Sequence, residues 1–239
     1  MKLQRTLYTA TGALFVALML LGFHRFVTNG QGEGGRIISP HILALVTTHG
    51  IAIACWFVLF FLQALLITVK KRRLHMTLGW ASVAIGLTIA VTGSLVAIRS
   101  VQNTPPAFHF FGIPYSRFLL VMLVEIASFT AFLTAGILTR KRPRIHRNLM
   151  VLASLCLLPG ATGRIPAVVH IFGSFGWSGL FAAVFTLGAV FLLLSSLITR
   201  TFDRTFAAAY AAWVVLWTAA YFLCQTPTWD TIAATILKI

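Results

Sequence analysis

The chain has 239 residues, of which 59% are hydrophobic and 10% are charged, and its mean hydropathy is +0.91. This composition excludes a soluble globular domain and provides apolar chain for about six to eight crossings of a bilayer. A formal net charge of +15 would indicate nucleic acid as the partner of a soluble protein. Here the cations lie in short loops between apolar runs, where they report membrane topology. We therefore expect a lipid bilayer as the partner and no nucleic acid.

Seven apolar segments follow one another along the chain. Each is long enough to cross ~30 Å of hydrocarbon at about 1.5 Å per residue. The bilayer core offers no water to backbone groups, so these segments are predicted to be helices. The sequence predicts an all-α integral membrane protein, a seven-transmembrane-helix bundle that forms a single transmembrane domain over residues 1–239. The spans lie at about 7–27, 41–69, 75–98, 116–139, 147–172, 177–199 and 206–224.

The distribution of cations predicts the orientation of the chain. Thirteen Lys and Arg residues lie at or beyond the span ends on one side, and five lie on the other. Cytoplasmic loops carry the excess of Lys and Arg, so the N-terminus is predicted to be cytoplasmic and the C-terminus outside. An odd number of spans agrees with this assignment. The first span follows Met1-Lys-Leu-Gln-Arg5 and is interpreted as an uncleaved signal-anchor.

Three segments between or after the spans have a distinctive composition. The glycine-rich stretch 29–35 is predicted to be a flexible linker, because a nucleotide-binding loop requires a preceding strand and a βαβ unit. The aromatic, proline-rich loop 100–115 is predicted to lie at the membrane interface. The tail that begins at Thr226 is too short to span and is expected to lie along the outer surface.

A few polar side chains fall inside the predicted spans, and each is a hypothesis for a functional site because ionisable groups are costly in hydrocarbon. His49, Glu125 and Arg164 lie at similar depths in the outer half of the second, fourth and fifth spans. Trp56 and Gln63 follow His49 at +7 and +14, which keeps them on the same helical stripe. Glu125 and Arg164 form the expected neutralising pair.

This outer cluster has two interpretations. It is either a buried ion pair that holds helices together, with His49 as a hydrogen-bonding neighbour, or a functional pocket. The pocket would take a small ligand or a quinone, or serve as one step of a proton relay. Pro159-Gly160 is predicted to break the fifth span, and together with Gly163 and Pro166 close by it favours a cavity beside Arg164.

Two further histidines share a local pattern. His75 follows the basic run Lys70–Arg73, and His146, seventy-one residues later, follows the basic run Arg140–Arg144. Either both are interfacial side chains bonded to headgroups or helix ends, or they are the two axial ligands of a haem b whose propionates the basic runs hold. Gly79 lies one turn beyond His75 on the same face, where a small residue lets a macrocycle approach.

These motifs resemble a family of uncharacterised bacterial polytopic membrane proteins, related to a large group of domains of unknown function. The resemblance covers roughly residues 40–170 and rests on His49-Gly50 with Trp56 and Gln63, on Leu74-His75-x-x-Leu78-Gly79, and on His146-Arg147-Asn148-Leu149-Met150 with Arg164. It implies a multi-pass protein of the bacterial inner (plasma) membrane.

A looser resemblance is to the transmembrane di-haem cytochrome b family that passes electrons from ascorbate. In that family, histidines on alternate helices of a four-helix core hold one haem near each face. His75 and His146 are similar to one such pair. The outer pair would need histidines on the second and fourth spans, where this chain has His49 and Glu125. The resemblance thus implies at most one complete bis-histidine site.

Two functions follow as expectations. The first is a membrane electron-transfer protein that binds haem b, quinone or both, in which His75 and His146 are the iron ligands. In this interpretation, the outer pocket is lined by His49, Trp56, Gln63, Glu125 and Arg164. The second is a non-redox small-solute or proton transporter, or an accessory subunit of a membrane complex. The sequence has no HExxH, Ser-His-Asp or Walker pattern, so any enzyme activity is expected to be that of a membrane oxidoreductase.

Overall fold

The computed structural model describes residues 2–30, 38–110 and 112–238, and most of the predicted glycine-rich linker lies outside these ranges. The chain is helical almost throughout. The helices are α1 (Lys2–Asn29), α2 (Pro40–Thr68), α3 (Arg72–Gln102), α4 (Tyr115–Leu138), α5 (Pro143–Cys156), α6 (Pro159–Thr162), α7 (Pro166–Phe172), α8 (Trp177–Thr199), α9 (Arg204–Leu223) and α10 (Pro227–Ile236). A short antiparallel hairpin pairs β1 (His109–Phe110) with β2 (Ile113–Pro114).

Six of these helices are long and apolar enough to cross a membrane, namely α1, α2, α3, α4, α8 and α9. A seventh crossing is obtained if the bent segment Pro143–Phe175 counts as one span. The predicted all-α, multi-pass membrane architecture is therefore confirmed. Helices of this length satisfy their own backbone groups, which is what a bilayer core requires.

The fifth span differs in detail from the continuous segment predicted at 147–172. The segment Pro143–Thr162 ends in a bend of 94°, after which Pro166–Phe175 runs in a new direction. The predicted break at Pro159-Gly160 is present, since α5 ends at Cys156 and α6 begins at Pro159, and the bend lies just beyond it, at Gly163–Ile165. Its cause is Pro166, because a residue before proline is disfavoured in the α region and Ile165 is extended, with φ −86° and ψ 115°. Arg164 therefore sits within the bend.

The centre of the bundle is built around Trp56 of α2. Its indole packs edge-on against Phe129 of α4, with ring centroids 5.0 Å apart. The indole Nε1–H donates a hydrogen bond to Ser154 Oγ of α5 at 3.1 Å. Trp56, Phe129 and Ser154 are all buried. Because lipid tails are as apolar as these side chains, it is close packing and the hydrogen bond, more than hydrophobicity, that join α2, α4 and α5.

The bundle has two chemically different ends. The end that carries the basic runs Lys70–Arg73 and Arg140–Arg144 is named here the basic end. The other end carries the β1–β2 hairpin and α10, and it is named the opposite end. There Trp229 of α10 is buried and its Nε1–H donates to the Ser116 carbonyl at 3.4 Å, so the predicted short tail is a helix docked on α4.

Candidate functional site

His75 is positioned by the tight connection between α2 and α3. α2 ends at Thr68 and α3 begins at Arg72, and the turn between them passes through Lys70 in the left-handed region, with φ +63°. His75, in the first turn of α3, therefore lies beside the last turns of α2. Its Nδ1 hydrogen-bonds the backbone carbonyl of Gln63 at 3.3 Å.

His146 is positioned in the same way by the connection between α4 and α5. α5 begins at Pro143, whose fixed φ suits a first helical position and whose missing N–H costs nothing there. The His146 Nδ1 reaches back to the backbone carbonyl of Gly136, near the end of α4, at 2.8 Å. The two histidines thus make equivalent bonds, each to a carbonyl near the end of the preceding helix.

The two imidazoles lie together at the basic end. Their ring centroids are 6.4 Å apart and their planes cross at 84°. Both side chains are half-buried. The structure therefore brings the first turns of α3 and α5 together. The sequence alone did not establish that these two helices are neighbours. We call His75 and His146 the histidine pair.

The hydrogen bonds of the histidine pair determine which ring nitrogens are protonated. A carbonyl oxygen can only accept, so each Nδ1 is the donor and each Nε2 of the neutral imidazole keeps its lone pair. Metal-binding histidines are oriented by a bond of this kind. Two imidazoles that bind one metal from opposite sides, at about 2 Å each and with about 1 Å from nitrogen to ring centre, have centroids about 6 Å apart. The observed 6.4 Å meets this requirement.

Two neighbours of the histidine pair bear on what it can bind. The space beside Gly79, one turn from His75, is not occupied by other groups, since a Cβ atom built at Gly79 would have no atom within 4 Å. The Arg72 guanidinium is close enough to His75 to interact with it electrostatically. Open space beside one ring and a cation nearby suit a flat, anionic ligand.

Gln63 belongs to this end of the bundle, not to the outer pocket in which the sequence pattern placed it. Its carbonyl accepts the His75 bond, and its amide nitrogen and oxygen are both buried. Within the described ranges, neither amide atom has a hydrogen-bond partner. Trp56, also assigned to the outer pocket, lies at the bundle centre and bonds Ser154.

The other three predicted site residues are His49, Arg164 and Glu125, and the first two each contact a residue of another helix. The His49 Nδ1 lies 3.0 Å from the Thr92 hydroxyl of α3, and its ring packs over Gly93. Arg164 donates to the Gly160 carbonyl of α6, and its guanidinium lies 5.1 Å from the centre of the Phe23 ring of α1.

Glu125, the third of these residues, is half-buried on α4. It lies near enough to Cys156, at the end of α5, for the two groups to interact electrostatically. His49 thus contacts α3 and Arg164 contacts α1, while Glu125 lies near Cys156, four residues before the Gly160 carbonyl that Arg164 binds. The predicted Glu125–Arg164 pair stays a prediction.

Sequence analysis missed a buried polar chain at the basic end. Tyr8 Oη donates to Asn148 Oδ1 at 2.8 Å, and Asn148 Nδ2 donates to Asp203 Oδ2 at 2.9 Å. Asp203 Oδ1 accepts from the Phe206 backbone N–H at 3.2 Å, so Asp203 caps α9. Arg144 is the last member of this polar chain, and its Nη2 lies 3.5 Å from Asp203 Oδ1. The one available signal was an Asp immediately before a helix, which predicts a cap but not its burial.

Comparisons with protein-family models, with curated proteins and with solved structures find no match. The two family resemblances noted in the sequence therefore stay predictions. The geometry of the histidine pair is the evidence from which a function is inferred.

Proposed function

We propose that the protein is a membrane electron-transfer protein that binds one haem b between His75 and His146. The observation that carries this proposal is the arrangement of the histidine pair. Two half-buried imidazoles lie 6.4 Å apart on different helices, and each is held through Nδ1 by a backbone carbonyl. Both Nε2 atoms are thereby left as ligands.

The residues present suit haem better than a bare metal ion. A structural zinc site takes four protein ligands, whereas haem iron brings four porphyrin nitrogens and needs only two axial ligands. The histidine pair supplies those two. The open face at Gly79 offers room for the edge of a macrocycle, and Lys70–Arg73 offers cations for its propionates.

Each residue of the site has a defined part in this proposal. His75 and His146 would bind the iron, and the carbonyls of Gln63 and Gly136 would fix the direction of each ring and keep its Nε2 unprotonated. When bound, the haem supplies one-electron oxidation and reduction. The site lies at the ends of apolar helices, so in this proposal a lipid-soluble quinone is the electron donor or acceptor, and other membrane subunits are further partners.

The location of the protein is part of the proposal. The thirteen cations on one side support a cytoplasmic basic end, with the N-terminus inside and the C-terminus outside. The resemblance to bacterial polytopic proteins supports the bacterial inner membrane. In this orientation the haem would lie near the cytoplasmic surface.

The first test is a reduced-minus-oxidised visible spectrum of the protein purified in mild detergent, with haem extracted as its pyridine complex. We expect a sharp α-band, about one haem per chain, and loss of the haem in His75→Ala and in His146→Ala. His41→Ala, an exposed histidine at the opposite end, is the matched control and should keep its haem. A folded, colourless wild-type protein would refute the proposal.

A proton or small-solute transporter is the second candidate, favoured by the polar groups inside the membrane. His49 is held by Thr92 within two apolar helices, and Glu125 is half-buried on α4. Ionisable groups at such depth mark ion or proton pathways in many membrane proteins. This candidate predicts that Glu125→Gln abolishes a pH-dependent flux in haem-free proteoliposomes, whereas the electron-transfer proposal predicts no such flux.

A further inference from the structure

The Trp56–Ser154 hydrogen bond sets the register between α2 and α5. α2 runs toward the basic end and α5 begins there, so the two helices are antiparallel. Gln63 lies seven residues after Trp56, and Arg147 lies seven residues before Ser154. Seven residues make about two helical turns and return to the same face, about 10 Å farther along the axis. Gln63 and Arg147 therefore lie at a similar depth, each about two turns from that bond toward the basic end and on the same face of its helix as the bonded residue.

Both side chains carry buried polar atoms that are unsatisfied. Gln63 Nε2 and Oε1 and Arg147 Nε are buried and have no hydrogen-bond partner within the described part of the chain. An unsatisfied buried polar atom costs about 1–3 kcal/mol, and more when the group is charged. The Arg147 guanidinium lies 5.1 Å from the centre of the Tyr8 ring. The nearby carboxylate of Asp203 is bonded to Asn148 and Arg144.

We propose that Gln63 and Arg147 bind a carboxylate of the haem, with the Gln63 amide and the Arg147 Nε–H as donors to one propionate. This inference rests on the proposed function. Both donors are linked to the histidine pair, because the Gln63 carbonyl holds His75 and Arg147 directly follows His146. A guanidinium and an amide at a low-dielectric position recognise an anionic oxygen. A phospholipid phosphate shares that chemistry, and the test separates the two sources.

The test is a redox titration of the haem in the wild type, in three variants of the proposed donors and in one control variant. The reduced haem carries one more negative charge than the oxidised haem, so loss of the guanidinium charge disfavours it. Arg147→Gln should therefore lower the equilibrium constant for haem reduction about tenfold, which lowers the one-electron reduction potential by about 59 mV. Gln63→Leu removes a neutral donor, so we expect roughly tenfold weaker retention of haem on competition with apomyoglobin. Arg147→Lys keeps the charge and should restore most of the potential.

Arg204→Gln is the matched control, since Arg204 is an exposed cation at the same end of the bundle and belongs to neither of the basic runs that precede the histidines. It should leave both the potential and the haem retention within twofold of the wild type. A low-spin bis-histidine spectrum in every variant shows that the site is folded. If Arg147→Gln does not fold, the haem retention measured for Gln63→Leu tests the proposal by itself.

The two proposals fail in different ways. A colourless wild type overturns the proposed function and this inference with it. A coloured protein whose potential and haem retention are the same in Arg147→Gln, Gln63→Leu and the wild type overturns this inference alone. Loss of co-purified anionic phospholipid in Arg147→Gln, with the haem potential unchanged, would assign the donors to a lipid phosphate and also overturn it.

Discussion

At the scale of single residues, Asp203 shows how a buried carboxylate is accommodated at the basic end. Its side chain is 3% exposed, and both oxygens accept hydrogen bonds. Asn148, which is also buried, can satisfy its own amide only because Tyr8 donates to one of its atoms and Asp203 accepts from another. The chain from Tyr8 to Asp203 therefore ties α1, α5 and the start of α9 into one polar contact.

Replacement of Asp203 by alanine should destabilise the protein by about 2–4 kcal/mol, because it removes the cap of α9 and leaves the Asn148 amide without its acceptor. The measurement is thermal unfolding in detergent, followed by circular dichroism. Arg204→Gln changes an exposed neighbour and should stay within about 0.5 kcal/mol of the wild type. Equal unfolding of both variants would show that the buried chain contributes no net stability.

The residue scale also shows where sequence analysis stops. Each basic run followed by a histidine was visible in the sequence, and both histidines lie at the start of a helix as expected. The bond between Asn148 and Asp203 was not visible, because it joins residues 55 positions apart and depends on how α5 and α9 pack. Gln63 shared a stripe with His49, but a separation of fourteen residues, about 21 Å along a helix, places it at the other end of the bundle.

At the scale of elements, α10 is a short helix held on the bundle by a small number of bonds. Thr226 Oγ1 caps it by accepting from the Trp229 N–H at 3.3 Å. Arg117 of α4 binds Asp230 through two parallel bonds, Nε to Oδ1 at 3.0 Å and Nη2 to Oδ2 at 2.8 Å. Bidentate pairs are the stronger kind of ion pair, yet this one is exposed and therefore screened by solvent.

The docking of α10 should depend on pH. The hydrogen bonds from Arg117 hold the pKa of Asp230 below its usual 3.8, so the pair stabilises the docked helix above about pH 4 and the stabilisation is lost as the pH falls through the lowered pKa. Asp230→Asn should raise the hydrogen-exchange rates of the α10 backbone amides at pH 7. The rates of variant and wild type should converge once the pH is below the lowered pKa of Asp230. A difference that persists there would mean that charge is not the cause.

The elements themselves were largely predictable. Runs of more than twenty apolar residues determine the helices because no other structure satisfies the backbone in lipid. The break predicted at Pro159-Gly160 is present, because α5 ends at Cys156 and α6 begins at Pro159. The 94° change of direction, which the sequence did not predict, lies after α6, where Pro166 forces Ile165 out of the helix. A proline in the sequence predicts that a helix is interrupted there. Whether the chain also changes direction at that proline depends on where the proline lies relative to the start of the next helix.

At the scale of the whole molecule, the two hairpins α2–α3 and α4–α5 repeat one construction. Each turns at the basic end, and each places a histidine in the first turns of its second helix, with Nδ1 bonded to a carbonyl twelve or ten residues earlier. The equivalent bonds direct both rings to the same region. The histidine pair therefore lies between the two hairpins, and the approach of the two rings depends on how the hairpins pack against each other.

The seven-span topology can be tested with single cysteines in a background that lacks Cys55, Cys156 and Cys224. Lys71→Cys lies at the basic end and Thr235→Cys on α10, and both positions are exposed. If Pro143–Thr162 crosses the membrane, five crossings separate the two positions. An impermeant maleimide should then label Thr235→Cys in intact spheroplasts and Lys71→Cys only after permeabilisation. Labelling of only Lys71→Cys in intact spheroplasts would invert the orientation. Labelling of both from one side would show that the bent segment is a re-entrant loop, because four crossings return the chain to the side on which it began.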